Sequence, residues 1–211
     1  MDAMKFCGEL WTALWIIWMI GLLWSKRTQE RTDRRARIVY GLTTLAGFYL
    51  MFGGGLPEGW LHTRLYARAQ WIDELGVALT ALGVAVAIWA RVYLGSNWSG
   101  SVQLKVEHEM IRGGPYGWVR HPIYTGLLVA IVGTGLVRGQ VRGLLAFFVL
   151  LAGFWVKLGI EEQLMRKTFG EAYEEYARRT GALVPRMWNQ SQRTEPRRKA
   201  NFHSGKVRRR T

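Results

Sequence analysis

Residues 108–124, HEMIRGGPYGWVRHPIY, gather two histidines, two arginines, two tyrosines and a Trp around a Gly-Gly-Pro turn, between apolar stretches of the chain. His121-Pro122-Ile123-Tyr124 has the form of a helix start, because proline at the first turn sacrifices no hydrogen bond and pre-sets φ. The free N–H groups of such a start, together with the helix dipole, favour an anion. Arg120 and His121 stand at its mouth, and Tyr124 follows about one turn deeper on nearly the same face. The same residues would also serve as an ordinary helix start with interfacial anchors. A second polar group is Glu161-Glu162, with Lys157 placed so that it shares a helical face with Glu161. His62, His108, His121 and His203 have no zinc-like spacing, and the lone Cys7 cannot complete a metal site or a disulfide, so no metal is expected. Phosphate-loop, dinucleotide-glycine and nucleophile-elbow patterns are lacking.

The elements that must position these residues are greasy. The chain has 211 residues, 49% of them hydrophobic, including 11 Trp, and carries a formal net charge of +14. Apolar runs at about 6–24, 38–56, 75–94, 123–137 and 144–158 predict an all-α membrane protein of about five transmembrane helices. Repeated spans also decide the meaning of the basic balance: the expected partner is the bilayer and its anionic headgroups, not nucleic acid. Trp11, Trp15, Trp18 and Trp24 are read as helix-surface residues and interface anchors, and Cys7 as a small packing residue.

Between the first two spans, Ser25 to Arg37 is a basic loop, cytoplasmic by the positive-inside rule. Residues 57–74 form an external loop. Gly76, Ala81, Gly83, Ala85 and Ala87 offer small surfaces for close helix packing, and Arg91 is placed to snorkel to the cytoplasmic face. Ser101 to Val106 alternates like a short extended segment. With five spans the C-terminus is cytoplasmic, and Arg138 and Arg142 then lie on the far side, against the charge rule. Met165, Phe169, Ala172 and Tyr176 recur at helical spacing, which predicts one cytoplasmic amphipathic helix over 161–179. Residues 1–187 are expected to form one integral membrane domain, with 95–124 and 157–185 carrying the site. Residues 188–211 form a basic tail of disordered composition.

LGSNWS (94–99), His108, GPYGWVRHPIYTG (114–126), EEQLMRKTFGEAYEEY (161–176) and GALVPR together resemble the isoprenylcysteine carboxyl methyltransferase family, related to phospholipid methyltransferases. The resemblance implies a multi-pass membrane methyltransferase that binds S-adenosylmethionine near the cytoplasmic face and takes a lipid-like or small apolar acceptor sideways from the bilayer. It places cofactor binding on Gln103, His108, Glu109, Met110, Ile111, Tyr116, His121, Pro122, Ile123, Tyr124 and Glu161. Catalytic duty would fall to Lys157, Glu161 and His121. The family carries arginine, assigned to the acceptor, where this chain has Lys157. The charge is kept but the bidentate fork is lost, which argues against a prenylcysteine carboxylate. The candidate acceptors are a prenylated thiol or cysteine carboxylate, a phospholipid amine or a small thiol. The membrane sterol-type NADPH reductases resemble the same family around RHP-x-Tyr, but they typically have Asn where Ile123 stands. A non-enzymatic scaffold with a lipid-binding tail leaves 108–124 and 157–176 without a reason.

Overall fold

The computed structural model describes residues 2–22, 28–31, 34–56, 58–95, 103–105 and 110–186. These form six α-helices: α1 (Ala3–Leu22), α2 (Arg34–Phe52), α3 (Gln70–Leu94), α4 (Pro122–Arg138), α5 (Val141–Phe169) and α6 (Glu171–Arg179). Three of them, α1, α3 and α5, are long and apolar enough to cross a membrane, and α4 is a shorter apolar helix. Their outward faces are apolar as well. Leu42, Leu45, Leu82, Phe148 and Trp155 are all exposed, an arrangement that hydrocarbon solvates and water does not.

The tightest seam joins α3 to α4, and small residues make it possible. A Cβ on Gly83 would fall 2.4 Å from Ala130 N and from Gly126 O, and one on Gly133 would fall 2.5 Å from Gly76 O. Gly76, Gly83 and Ala87 face this seam as expected, whereas Ala85 points outward. Polar side chains tie α1 to the pair. Trp11 Nε1 donates to Thr134 Oγ1 at 3.0 Å, Thr134 and Thr80 hydroxyls lie 3.2 Å apart, and the buried Cys7 thiol packs on Thr80. Across from them, α1 and α2 interlock through aromatic edges, with Trp11 and Phe48 centroids 5.0 Å apart at 83°.

Several sequence expectations need correction. Two short strands accompany the helices: β2 (Gln103–Lys105), within the segment expected to be extended, pairs antiparallel with β1 (Thr28–Arg31) inside the basic loop. The amphipathic helix expected over 161–179 is two helices. α5 runs past Leu158 through Glu161 and Glu162 to Phe169, then Gly170 at φ 52° turns the chain into α6. Only glycine adopts that conformation without steric cost. The third helix begins at Gln70, not Leu75, and a short helical turn at Trp60–His62 interrupts the loop before it.

Two arginines are not surface charges. Arg91 is buried and donates to Gly21 O at 2.7 Å and Gly95 O at 2.9 Å, closing the ends of α1 and α3. Arg142, also buried, donates to Leu50 O and Gly53 O at the end of α2. Each satisfies carbonyls that a helix C-terminus leaves without partners. Residues 188–211 lie outside the described residues.

Candidate functional site

The first residue of α4 is Pro122, fully buried, and its N-cap is His121. A short helical turn at Gly114–Gly117 brings Tyr116 inward, where its hydroxyl donates to Ala90 O at 3.3 Å. From the other side, α5 carries Lys157 and, one turn on, the adjacent Glu161 and Glu162. The two carboxylates part company there. Glu161 accepts from the Tyr124 hydroxyl at 2.7 Å and lies 3.6 Å from His121 Nδ1. Glu162 turns to Arg120, which reaches its Oε1 at 2.7 and 2.8 Å, and to Arg166 at 2.9 Å, with His121 Nε2 at 3.4 Å.

The histidine is thus held between two acids, one through each ring nitrogen. Burial by itself lowers its pKa, but the hydrogen bonds and charges of Glu161 and Glu162 together outweigh burial and leave it raised. Burial pushes the Tyr116 hydroxyl up, reinforced by the charge of Glu161, so it stays a neutral donor.

A C-terminal hook closes this end. After α6 the chain doubles back, pairing Val119 with Gly181 in parallel and accepting from Arg120 N at 2.8 Å and His121 N at 3.1 Å. Arg120 also donates to Ala177 O at 3.0 Å and to Thr180 O. Tyr176 completes the closure, its hydroxyl donating to Tyr116 O at 2.6 Å, and burial pushes that hydroxyl's pKa up to about 12.

Between these parts lies a cavity of about 820 Å³. Met110, Ile111, Tyr116, His121, Ile123, Tyr124, Lys157 and Glu161 all line it, and Pro122 lies beneath the wall. Gln103 is in β2, and His108 and Glu109 lie outside the described residues. The Lys157 ammonium sits 5.3 Å from the Tyr40 ring centroid and 5.5 Å from that of Tyr124, at the boundary between the polar end and an apolar arm.

That arm is walled by Trp11, Trp15, Trp18, Thr44, Phe48 and Phe52. Trp11, Trp15 and Trp18 therefore do more than anchor the surface. Trp11 is only 4% exposed, and all three face the hollow. The sequence signal that could have found them is their helical spacing against the α2 aromatics, since Trp11, Trp15 and Trp18 share one face of α1. Tyr40 was legible only as an isolated tyrosine, whereas Tyr173 and Tyr176 belong to the 161–176 block. A sulfonium cofactor bearing an amino acid and a ribose fits the polar end: Glu161 offers a carboxylate acceptor, held in place by His121 and Tyr124, and α4 presents its N-terminal N–H groups.

Comparison with known proteins agrees. The phospholipid methyltransferase family model matches residues 71–172. Protein-S-isoprenylcysteine O-methyltransferase B of Arabidopsis thaliana is 28% identical over 139 residues, covering 64% of this chain and 66% of that protein. A probable protein-S-isoprenylcysteine O-methyltransferase of Oryza sativa subsp. indica is 30% identical over 134 residues, covering 62% and 69%. The chain thus spans about two thirds of the length of these relatives. The solved eukaryotic intramembrane Ras methyltransferase ICMT superposes with a TM-score of 0.50 over 73% of this chain and 53% of its own, at 21% identity, a likeness of fold. By the rice match together with the family model, the chain belongs to the isoprenylcysteine O-methyltransferase family of integral membrane methyltransferases.

Proposed function

We propose that this chain is an S-adenosylmethionine-dependent methyltransferase acting on a lipid-like or small apolar acceptor with an anionic head. The observation that carries the reading is the single cavity in which Tyr116, His121, Tyr124, Lys157 and Glu161 meet an apolar arm. When bound, the cofactor supplies an electrophilic methyl on a sulfonium sulfur. Glu161, oriented by Tyr124 and His121, binds ribose hydroxyls or the amino group. The α4 N-terminus holds the cofactor carboxylate, and Tyr116 walls the pocket beside it. Lys157 holds the acceptor's anion in line with the methyl while Tyr40, Tyr124 and the hook exclude water, so most of the acceleration comes from positioning. An anionic acceptor attacks without a base. A cation at Lys157 disfavours an ammonium headgroup, and its single point of attachment suits a thiolate better than the bidentate grip a carboxylate prefers.

Five crossings follow if α2 and α4 span together with α1, α3 and α5. The basic residues of 25–37, Lys105, Arg112 and Arg120 then place the cavity's polar end and the C-terminus in the cytoplasm. Residues 1–187 act as one domain, and the basic tail beyond engages anionic headgroups.

The test is equilibrium binding of S-adenosylmethionine and of NADPH to the detergent-purified protein. The sulfonium cofactor is expected to bind, with His121→Ala and Glu161→Gln each weakening it by about tenfold or more, the loss of a charged hydrogen bond. Folded protein that binds NADPH instead, or neither, overturns the assignment.

A further inference from the structure

The end of the bundle remote from the cavity's polar mouth holds a cluster of basic side chains with no carboxylate partner among the described residues. α4 has 17 residues, so Arg138 lies roughly 25 Å along it from Pro122, close to the thickness of a hydrocarbon core. Around the α4–α5 turn the loop 63–65 is stitched to 139–141: Leu65 N donates to Gly139 O and Val141 N to Thr63 O, both at 3.0 Å. This brings Arg64 over Gly139, where a Cβ would lie 2.8 Å from its Nη2. Arg138 precedes that glycine, and Arg142 is near enough to repel it.

Arg142 is accounted for by its carbonyls, and the exposed Arg64 donates from Nε to Tyr66 O at 3.3 Å. Arg142 Nη1 lies 3.4 Å from His62 Nε2. A guanidinium only donates, so Nε2 accepts and Nδ1 carries the proton. That Nδ1–H and the Nε–H of Arg138 are both buried without a hydrogen-bond partner. Among the described residues no carboxylate pairs with Arg64, Arg138 or Arg142. Unpaired buried donors carry a desolvation cost of about 1–3 kcal/mol each, more for charged groups. Three guanidiniums gathered with no carboxylate among the described residues leave a local excess of positive charge that an anion would offset. Exposed Trp60, Leu65 and Trp71 on the neighbouring segments place the cluster at a headgroup level.

We propose that Arg64, Arg138 and His62 form a binding site for the phosphodiester of an anionic membrane lipid, in the leaflet opposite the cavity's polar end. The geometry also explains why two arginines stand where the positive-inside rule disfavours them: one closes a helix and the other holds a lipid. The lipid clamps the 63–65 segment to the α4–α5 turn and leaves the methyl-transfer site untouched.

Native mass spectrometry of the detergent-solubilised protein, titrated with phosphatidylglycerol or phosphatidylcholine, tests this directly. Arg138→Gln and Arg64→Gln should each weaken phosphatidylglycerol binding by about tenfold, the equivalent of one charge-assisted hydrogen bond. Lys5→Gln, which removes an exposed charge from the same face, should leave it unchanged. Arg138→Lys should fall between, and melting followed by circular dichroism verifies that each variant is folded. Equal losses in Lys5→Gln and Arg138→Gln would sink the site. If millimolar inorganic phosphate displaces the lipid from the wild type, the cluster is a free-anion site and the lipid assignment is overturned. None of these readouts depends on the enzymatic reading.

Discussion

His121 is squeezed between Glu161 and Glu162, and this makes the site's stability depend on pH in a definite direction. Its pKa is raised above the ordinary histidine value of about 6.5. The protonated ring is therefore bound more tightly in the folded state, and the gain is complete below the unfolded pKa. It fades as pH rises through the higher folded pKa. His121→Gln should accordingly melt well below the wild type in mildly acidic buffer, and the gap should narrow at alkaline pH, read as melting temperature against pH in detergent. A gap that widens with pH would show a neutral imidazole. At this scale much could be read from the chain itself: helical spacing set Lys157 and Glu161 on one face, and the Pro122 helix start set His121 at its mouth. The partner of Glu162 could not be read. Adjacent residues on a helix diverge by about 100°, so Glu162 leaves the cavity face, and its partner Arg120 arrives from a loop distant in sequence.

The elements meet through one clasp. Glu162 joins α5 to Arg120, and Arg120 joins both to the end of α6 through the carbonyls of Ala177 and Thr180. Breaking one side of a buried ion pair leaves the other charge stranded, at a cost of about 3–5 kcal/mol. Glu162→Gln should lower stability by that order and free the hook, so trypsin should cut faster at Arg178 and Arg179 than in the wild type. Arg166→Gln removes a bond to the same carboxylate, but Arg166 is 43% exposed, and such a pair contributes at most about 1 kcal/mol. Equal effects of the two changes would refute the clasp. Helix identities were legible because apolar runs of this length have few alternatives. The break at Gly170 was hidden, since Met165, Phe169, Ala172 and Tyr176 keep helical spacing across it and a glycine interrupts a pattern without erasing it. The ribbon of β1 and β2 was half legible for a related reason: pairing is a property of two distant segments, and the basic residues of the first masked its extended character.

At the scale of the molecule, the cavity is assembled from two unequal sources. The polar end comes from α4, α5 and the hook, largely within the family match at 71–172, while most of the apolar arm comes from α1 and α2, outside it. Sequence blocks therefore pointed to the donor end and were silent about the arm, whose Trp11, Trp15 and Trp18 look like membrane anchors until α2 is set against them. This division predicts that the two ends can be altered separately. Gly41 lines the arm one residue beyond Tyr40, and a Cβ built there meets nothing within 4 Å. Gly41→Leu should thus fold normally, aided by the greater helix propensity of leucine, while its side chain fills space meant for the acceptor. The expected result is a KM for an apolar thiol acceptor raised by about tenfold, the scale of a misfitting methylene or two, with S-adenosylmethionine binding unchanged. An unchanged KM would place the acceptor elsewhere, and a loss of cofactor binding would mean that the arm and the polar end form one indivisible pocket.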